Sequence, residues 1–372
     1  MSKAAELAAL IANVNNGSSL AAKNFIINGG MQVWQRATAA TAAVDGAYKT
    51  VDRFFNWVSG GGAYTTEQST GHLATTGHEN ALKLAVTTAD TSIASGDYYV
   101  IGYKIEAQDL QSFKYGSSSA NAVTLSFWIR ATKAGTHTLF FSKNDSTQYI
   151  YVAEYTVSAS DTWEHITITI LPDSNIKAGA GAIANDNGAG ITIGFVLKEG
   201  SNYEGATASA WNTSKYTTSN QVNNMDSTSN TWYLTGVQLE IGEKATEFEH
   251  EPYETTLAKC HRYFVKINDD FTGSNAYHAW SSIRWGSNQQ FATVALPQPI
   301  RAQATVTITG TTGVTFKCDG SSDSKTAVVH LNTEKSGLVS FYGNSLSFDP
   351  ANSKAGTMFI NDDSSMQFDA EL

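Results

Sequence analysis

The chain has 372 residues, of which 41% are hydrophobic and 16% are charged, so it is long enough to bury cores in two or three compact units. The low charge and the abundance of Thr, Ser, Asn and Gly favour β-structure. Lys and Arg number 24 against 34 Asp and Glu, a net charge of −10, which excludes a basic surface of the size that nucleic acid requires.

No apolar run reaches the length of a membrane span, so no membrane insertion is expected. The apolar stretch near the N-terminus is too short for a secretory signal and contains an acidic residue, Glu6. This predicts that the protein is made and retained in a cytosol. Two cysteines, Cys260 and Cys318, are too few for a disulfide-stapled scaffold, and we interpret both as small buried residues.

Residues 3–14 are predicted to form a helix, because apolar residues recur there at helical spacing. This stripe consists of Leu7, Leu10, Ile11 and Val14. Since twelve residues are marginal as an isolated helix, the stripe needs a partner: another protein, copies of itself, or the body of the chain. Residues 15–22 are rich in Asn, Gly, Ser and Ala, which is typical of a hinge.

From Asn24 onward the hydrophobic period changes to two, which predicts strands separated by turns. The candidates are Asn24–Ile27, Met31–Arg36, Arg53–Val58, Ala81–Thr87, Tyr98–Glu106, Val123–Ala131, Thr136–Ser142, Gln148–Tyr155, Glu164–Leu171, Ile191–Leu197 and Thr231–Ile241. In one of them, Leu125, Phe127 and Ile129 alternate with polar residues. Such alternation without intervening helices predicts an all-β, antiparallel jelly-roll sandwich over residues 23–253.

A second, smaller β-sandwich domain is predicted over residues 254–372, after about one helical turn in Glu251–Leu257. Its candidate strands are Cys260–Ile267, Tyr277–Arg284, Gln290–Leu296, Ala304–Thr309, Val314–Lys317, Ala327–Leu331, Leu338–Tyr342, Thr357–Ile360 and Met366–Ala370. Residues 1–22 form the third segment, the helix and hinge. No internal repeat of 20–50 residues is found, which disfavours a solenoid or propeller.

No motif predicts catalysis, a cofactor or a metal centre. The Gly-x-Gly-x-x-Ala pattern from Gly179 to Ala184 has no helix after it, so it is interpreted as a flexible loop. The eight histidines are dispersed: His72, His78, His137, His165, His250, His261, His278 and His330. Acidic pairs at 269–270 and 362–363, and the turn at Asp186, leave a loop Ca²⁺ site open, although solvated turns are the simpler interpretation. A glycosidase carboxylate pair can be neither located nor excluded.

One long polar stretch, Tyr203 to Asn230, contains three large aromatic rings: Tyr203, Trp211 and Tyr216. Long segments of this kind in compact domains often carry function, and flat rings are platforms for sugars or partner proteins. The alternative is that the rings hold the segment down on the sandwich. We predict a ligand-binding role for these three residues and keep the packing role as the competing explanation.

Five segments carry a family resemblance: 24–36 (NFIINGGMQVWQR), 51–57 (VDRFFNW), 235–249 (TGVQLEIGEKATEFE), 257–264 (LAKCHRYF) and 294–308 (VALPQPIRAQATVTI). Together they resemble the tail-fibre and virion surface proteins of tailed bacteriophages. The resemblance implies a jelly-roll domain similar to carbohydrate-binding modules, carried on a virion and often homotrimeric. No catalytic or sugar-binding residue can be transferred by motif.

The resulting hypothesis is a non-enzymatic virion protein, made in the host cytoplasm, that acts as a tail fibre or receptor-binding protein. Its expected partners are two further copies of itself, other virion proteins through residues 1–22, and a host surface glycan or envelope protein. The alternatives are a capsid-attached head fibre or decoration protein and a polysaccharide depolymerase. Among the matched residues, Arg36, Asp52 and Arg53 are predicted to form a buried ion pair, and Leu239 is predicted to face the core.

Overall fold

The structure is a computed structural model that describes residues 3, 24–40, 43–268, 279–286, 289–309, 314–318, 321–325, 329–333, 338–343, 355–360 and 364–372. The residues of the predicted attachment helix, Leu7, Leu10, Ile11 and Val14, lie outside the described residues. The chain divides into two compact units, Met1–Tyr253 with Leu372, and Glu254–Glu371.

The first unit is a sandwich of two six-stranded antiparallel sheets. Its elements are β1 (Ala39–Ala40), β2 (Phe54–Ser59), β3 (Ala63–Ser69), α1 (Leu73–Thr76), β4 (Ala81–Thr88), β5 (Tyr98–Glu106), β6 (Val123–Ala131), β7 (Gly135–Lys143), β8 (Tyr149–Val157), β9 (Glu164–Ile170), β10 (Ala189–Glu199), β11 (Ala210–Asn212) and β12 (Thr231–Ile241), with 3-10 turns at Ala107–Phe113 and Gly179–Gly181. The first sheet has the order β1-β3-β4-β12-β6-β9 and the second the order β11-β8-β7-β10-β5-β2. Strands β4 to β7 alternate between the sheets, so the predicted antiparallel jelly-roll class is confirmed.

The core of this unit lies between the two sheets, where alternate side chains of each strand meet. The predicted inward residues Leu125, Phe127 and Ile129 are fully buried, as is Leu239 in β12. Phe127 contacts Phe195 of the opposite sheet edge to face, with ring centroids 5.1 Å apart. Burial of each such apolar side chain contributes about 1.5–3 kcal/mol to the free energy of unfolding.

Aromatic rings also cover part of the outer face of the second sheet, because two strand glycines make room for them. The rings of Phe55 and Phe140 lie over Gly102 and Gly194, where a Cβ atom would approach the ring carbons to 2.3 Å and 2.2 Å. Both phenylalanines are almost completely buried, although they point away from the main core. This face of the sheet therefore has an apolar layer of its own.

Gly194→Ala is expected to destabilise the protein by about 1–3 kcal/mol, because the Phe140 ring must leave its position. Urea unfolding of the purified chain measures the effect. Gly179→Ala is the matched control, since a Cβ atom there meets nothing within 4 Å. Equal stabilities of the two variants would show that the Phe140 ring is not held over Gly194.

The segment before β1 contradicts the prediction of strands at Asn24–Ile27 and Met31–Arg36, because neither range is a strand. Asn28 and Met31 adopt left-handed backbone angles, with φ of 62° and 54°. The side chain of Asn28 accepts hydrogen bonds from the backbone of Gln32 and Val33 and donates to the Val33 carbonyl. These bonds replace a sheet ladder and fold the chain into a turn.

The predicted buried ion pair is confirmed for Arg36 and Asp52. Arg36 Nη1 lies 3.1 Å from Asp52 Oδ1, and the two side chains are 7% and 1% exposed. The other carboxylate oxygen of Asp52 accepts a hydrogen bond from the Gln35 backbone at 2.8 Å. The Arg53 guanidinium donates to the Lys104 carbonyl and lies over the Tyr103 ring. These contacts join the entry segment to the second sheet.

The second unit, considered by itself, contains two antiparallel sheets around a separate core. Its elements are α2 (Tyr253–His261), β13 (Phe264–Asn268), β14 (Ala279–Gly286), β15 (Gln289–Ala295), β16 (Thr305–Thr309), β17 (Val314–Cys318), β18 (Ser321–Lys325), β19 (Val329–Thr333), β20 (Leu338–Gly343), β21 (Ala355–Ile360) and β22 (Ser365–Asp369). One sheet has the order β13-β22-β16 and the other the order β18-β17-β21-β14-β15-β20-β19. Phe316, Phe341 and Phe368 lie in the shared core.

The predicted strand Cys260–Ile267 is wrong at its start, because the helix continues to His261 and the strand begins at Phe264. Cys260 is buried, as expected for a small apolar residue. None of the helices in the described ranges is long and apolar enough to cross a membrane.

Candidate functional site

Four half-buried aromatic rings form a row on the outer face of the second sheet, and we call this row the aromatic face: Trp57, Tyr98, Tyr203 and Tyr216. Tyr203 lies edge to face against Tyr98 at 5.7 Å and against Tyr216 at 6.2 Å. Tyr216 contacts the Phe140 ring at 5.0 Å, and Trp57 stacks on the other side of Phe140 at 6.3 Å. The three tyrosines thus contact one another in sequence, and Trp57 joins them through the buried Phe140 ring.

Two strands and the segment that follows β10 bring these rings together. Trp57 and Tyr98 belong to the neighbouring strands β2 and β5, whose pairing places Trp57 opposite Val100. Tyr203 and Tyr216 belong to residues 200–221, which fold across the sheet. The Tyr216 backbone amide donates to the Tyr203 carbonyl at 2.9 Å. Residues 200–221 therefore form an ordered cover, which we call the cover segment.

Beneath the cover segment lies a small apolar cluster separate from the main core. Its buried members are Val100, Phe140, Ile150, Val152 and Val196, with Trp57 and Tyr216 packed against it. Gln221, at the end of the segment, donates to the Val196 carbonyl at 2.6 Å. The cover segment is held by both apolar contacts and hydrogen bonds.

The rim of the aromatic face is polar. The Tyr98 hydroxyl lies 3.3 Å from Asp45 Oδ2, the Tyr216 hydroxyl 3.4 Å from Gln148 Oε1, and Lys198 pairs with Glu204. Burial raises the pKa of Tyr98 and of Tyr216, so both phenols are neutral at physiological pH. Neutral hydroxyls beside flat rings can hydrogen-bond and stack on an uncharged polar ligand.

The structure brings Tyr203 and Tyr216 together but places Trp211 elsewhere. Trp211 lies in β11, paired with Tyr151 of β8 at the edge of the second sheet. Its ring contacts Tyr115, Phe141 and Tyr151, and Nε1 donates to the Leu171 carbonyl at 2.8 Å. This environment favours the packing explanation for Trp211, whereas the binding role of the two tyrosines stays a prediction.

Trp211→Ala is expected to lower the free energy of unfolding by about 2–4 kcal/mol, somewhat less than for a fully buried tryptophan. The physical reason is the loss of three ring contacts and of the bond to Leu171. Thermal and urea unfolding measure the change. A variant as stable as the wild type would mean that the ring does not anchor β11.

Sequence reasoning missed Trp57 and Tyr98 because both lie in strands, where aromatic residues are normal core components. A signal was present in Phe54–Trp57, where apolar residues point to both faces of the strand. Glu199 was also missed. It ends β10 beside Tyr98, is 3% exposed, and its Oε2 atom has no hydrogen-bond partner among the residues that the structure describes.

Four of the dispersed histidines lie near the outer face of the first sheet: His72, His78, His165 and His250. His78 and His250 have ring centroids 5.2 Å apart, beside a cavity of about 390 Å³ that His78 and His250 line. Burial, with His250 and His165 nearby, lowers the pKa of His78 to about 4. The described residues contain no group of three His, Cys, Asp or Glu that could hold a metal ion.

The glycine pattern at Gly179–Ala184 is a loop, and no helix follows it before β10. The backbone carbonyls of Ala180 and Ala182 accept hydrogen bonds from the buried Lys143 ammonium at 2.9 Å and 3.3 Å. A carbonyl lining of this kind binds a cation, whereas a phosphate needs N–H donors. The Asp186 carboxylate accepts from the Gly188 amide within its own turn. The acidic pairs at 269–270 and 362–363 lie outside the described residues.

The first unit is an antiparallel jelly-roll sandwich, and the second unit is a separate antiparallel β domain. Comparison with known proteins finds no matching family model and no matching curated protein. Solved structures do match. One is a candidate sugar-binding protein from Bacteroides thetaiotaomicron, with 11% identity over 59% of this chain and 100% of that chain, at a TM-score of 0.30.

Two further matches are carbohydrate-binding modules. The family 11 module of the cellulase Lic26A-Cel5E from Clostridium thermocellum has 13% identity over 56% of this chain and 96% of that chain, at a TM-score of 0.28. The tandem of two family 22 modules of Xyn10C from Paenibacillus barcinonensis has 8% identity over 85% of this chain and 93% of that chain, at a TM-score of 0.25.

Proposed function

We propose that this chain is a non-enzymatic surface protein of a tailed-bacteriophage virion, a tail fibre or receptor-binding protein, whose first unit binds a glycan of the bacterial surface. The observation that carries the binding proposal is the row Tyr98–Tyr203–Tyr216 on the outer face of the second sheet. Half-exposed rings with neutral hydroxyls suit the C–H faces and hydroxyl groups of sugars. Single contacts of this kind are weak and gain strength from several copies on one particle.

The virion part of the proposal rests on the sequence segments that resemble phage surface proteins. In this chain they have structural roles. The segment 24–36 is fastened by the Asn28 turn and by Arg36, and the segment 235–249 contains most of β12. The segment 257–264 includes the end of α2 and the start of β13. These residues explain the fold and leave ligand choice to the aromatic face.

An array of purified bacterial surface polysaccharides tests the binding proposal. The expected result is saturable binding of the purified chain to a subset of polysaccharides, without release of reducing sugar. Release of reducing sugar would favour the depolymerase alternative, and the absence of binding across the array would contradict glycan recognition. Immunogold labelling of virions distinguishes the tail position from the capsid-attached alternative.

We further expect a homotrimer in solution. The strands carry little charge, and packing of three copies around a symmetry axis would cover their exposed edges and faces. Light scattering should give about three times the chain mass of 39.9 kDa. A species of single-chain mass at micromolar concentration would contradict this part of the proposal.

A further inference from the structure

Glu199 lies at the point where the cover segment leaves the second sheet. A register shift between Val196 and Lys198 precedes it, and its own sheet partner is Tyr98. The next residue, Gly200, begins the cover segment and donates its amide to the Asp97 carbonyl at 2.8 Å. Glu199 therefore immediately precedes the first turn of that segment.

The carboxyl group of Glu199 is buried, and the Lys198 charge offsets only part of the cost of its ionisation. It is 3% exposed, and Oε2 is buried without a hydrogen-bond partner among the described residues. The charged and titratable groups around it come from β10, from the start of β5 and from the cover segment: Lys198, Asp97, Tyr98, Tyr203, Glu204, Lys215 and Tyr216. The nearby Glu204 carboxylate adds repulsion, which raises the pKa of Glu199 further.

Both nearby cations are engaged by other partners. The Lys198 ammonium is paired with the Glu204 carboxylate. The Lys215 ammonium donates to the backbone carbonyls of Ser201 and Asn202, at 3.2 Å and 2.7 Å. A buried carboxylate without a hydrogen-bond partner is costly, so burial favours the protonated form of Glu199.

We propose that Glu199 is a proton-operated latch: the protonated carboxyl lets the cover segment lie on the sheet, and ionisation releases it. Release would separate Tyr203 and Tyr216 from Tyr98 and uncover the apolar cluster around Phe140. The consequence for ligand binding rests on the proposed function of the aromatic face, whereas the opening itself does not.

The sign of the pH dependence follows from proton linkage. Burial, with the nearby Glu204 charge, raises the pKa of Glu199 from 4.5 to about 8 in the closed state. The closed state therefore holds the proton more tightly than the open state does. Closure is fully favoured below the pKa of the open state and weakens as pH rises toward the pKa of the closed state. Closure is therefore strongest below about pH 4.5 and weakens progressively as pH rises to about 8.

Amide hydrogen exchange of the purified full chain tests the latch, with no ligand present. The variant Glu199→Gln keeps the shape and cannot ionise, and Glu243→Gln makes the same change at an exposed residue. At each pH, the exchange rate of peptides from 200–221 in the wild type is divided by the rate in Glu199→Gln, which cancels the intrinsic effect of pH. Peptides from 123–131 serve as the internal reference.

The ratio for 200–221 is expected to rise about tenfold or more between about pH 5 and about pH 8, and to stay flat for 123–131. Glu243→Gln should follow the wild type. A flat ratio for 200–221 would overturn the latch. If Glu199→Gln does not fold, the wild-type rate in 200–221 relative to 123–131 must still rise with pH, and a constant value would overturn the proposal. Failure of glycan binding on the array would leave this result unaffected.

Discussion

Replacing Asp52 with alanine is expected to lower the free energy of unfolding by about 3–5 kcal/mol, the cost of leaving a buried charge without its partner. Asp52 is 1% exposed, and its carboxylate binds the Arg36 guanidinium at 3.1 Å. It also accepts the Gln35 backbone amide, which would lose its acceptor. Urea unfolding followed by far-ultraviolet circular dichroism measures the loss.

The matched control is Glu67→Ala. Glu67 also binds a cation, Lys83, at 2.5 Å, but its side chain is 38% exposed. Exposed pairs contribute about 1 kcal/mol or less. The free energy of unfolding is therefore expected to fall clearly more in Asp52→Ala than in the control variant. Equal losses of unfolding free energy would show that the Arg36–Asp52 pair does not fix the entry segment.

Removing the two rings of the cover segment, with Tyr203→Ala and Tyr216→Ala in one chain, is expected to weaken polysaccharide binding about thirtyfold or more. This corresponds to about 1 kcal/mol or more for each ring at the centre of a contact. Binding to the best polysaccharide of the array gives the measurement, together with the unfolding midpoint of the same protein. The variant is expected to fold, because both rings are only half buried.

Two further variants separate binding from stability. Tyr253→Ala removes an exposed tyrosine, 52% accessible, far from this row in the sequence, and should leave binding unchanged. Trp211→Ala should lower stability more than the double tyrosine variant does and affect binding less. If the double tyrosine variant binds as the wild type does, the tyrosines have only a packing role.

The strands of the sandwich were predictable where side-chain alternation and a buried face coincide. Tyr98–Glu106, Val123–Ala131 and Thr231–Ile241 have the predicted bounds at both ends. Ala63–Ser69 was missed because its residues are mostly polar, and it is a strand through pairing with β4. Asn24–Ile27 has strand composition, yet a side-chain amide competes with the sheet there, and sequence patterns do not show which of the two is formed.

The aromatic face was only half predictable. Tyr203 and Tyr216 stand out in a polar stretch, whereas Trp57 and Tyr98 join them through sheet pairing, which connects residues more than 40 positions apart. Trp211 looked equivalent to the tyrosines in the sequence and differs from them because β11 turns its ring toward Phe141. Glu199 was overlooked since its strand was expected to end at Leu197, and the register shift extends β10 by two residues.

The most direct measurement of the central claim is hydroxyl-radical footprinting of the chain with and without a polysaccharide that it binds on the array. The account predicts that the polysaccharide protects Trp57, Tyr98, Tyr203 and Tyr216 from oxidation and leaves Trp163, on the outer face of the first sheet, unprotected. Protection confined to Trp163 and its neighbours, or saturable binding with no protection of the aromatic face, would contradict the account.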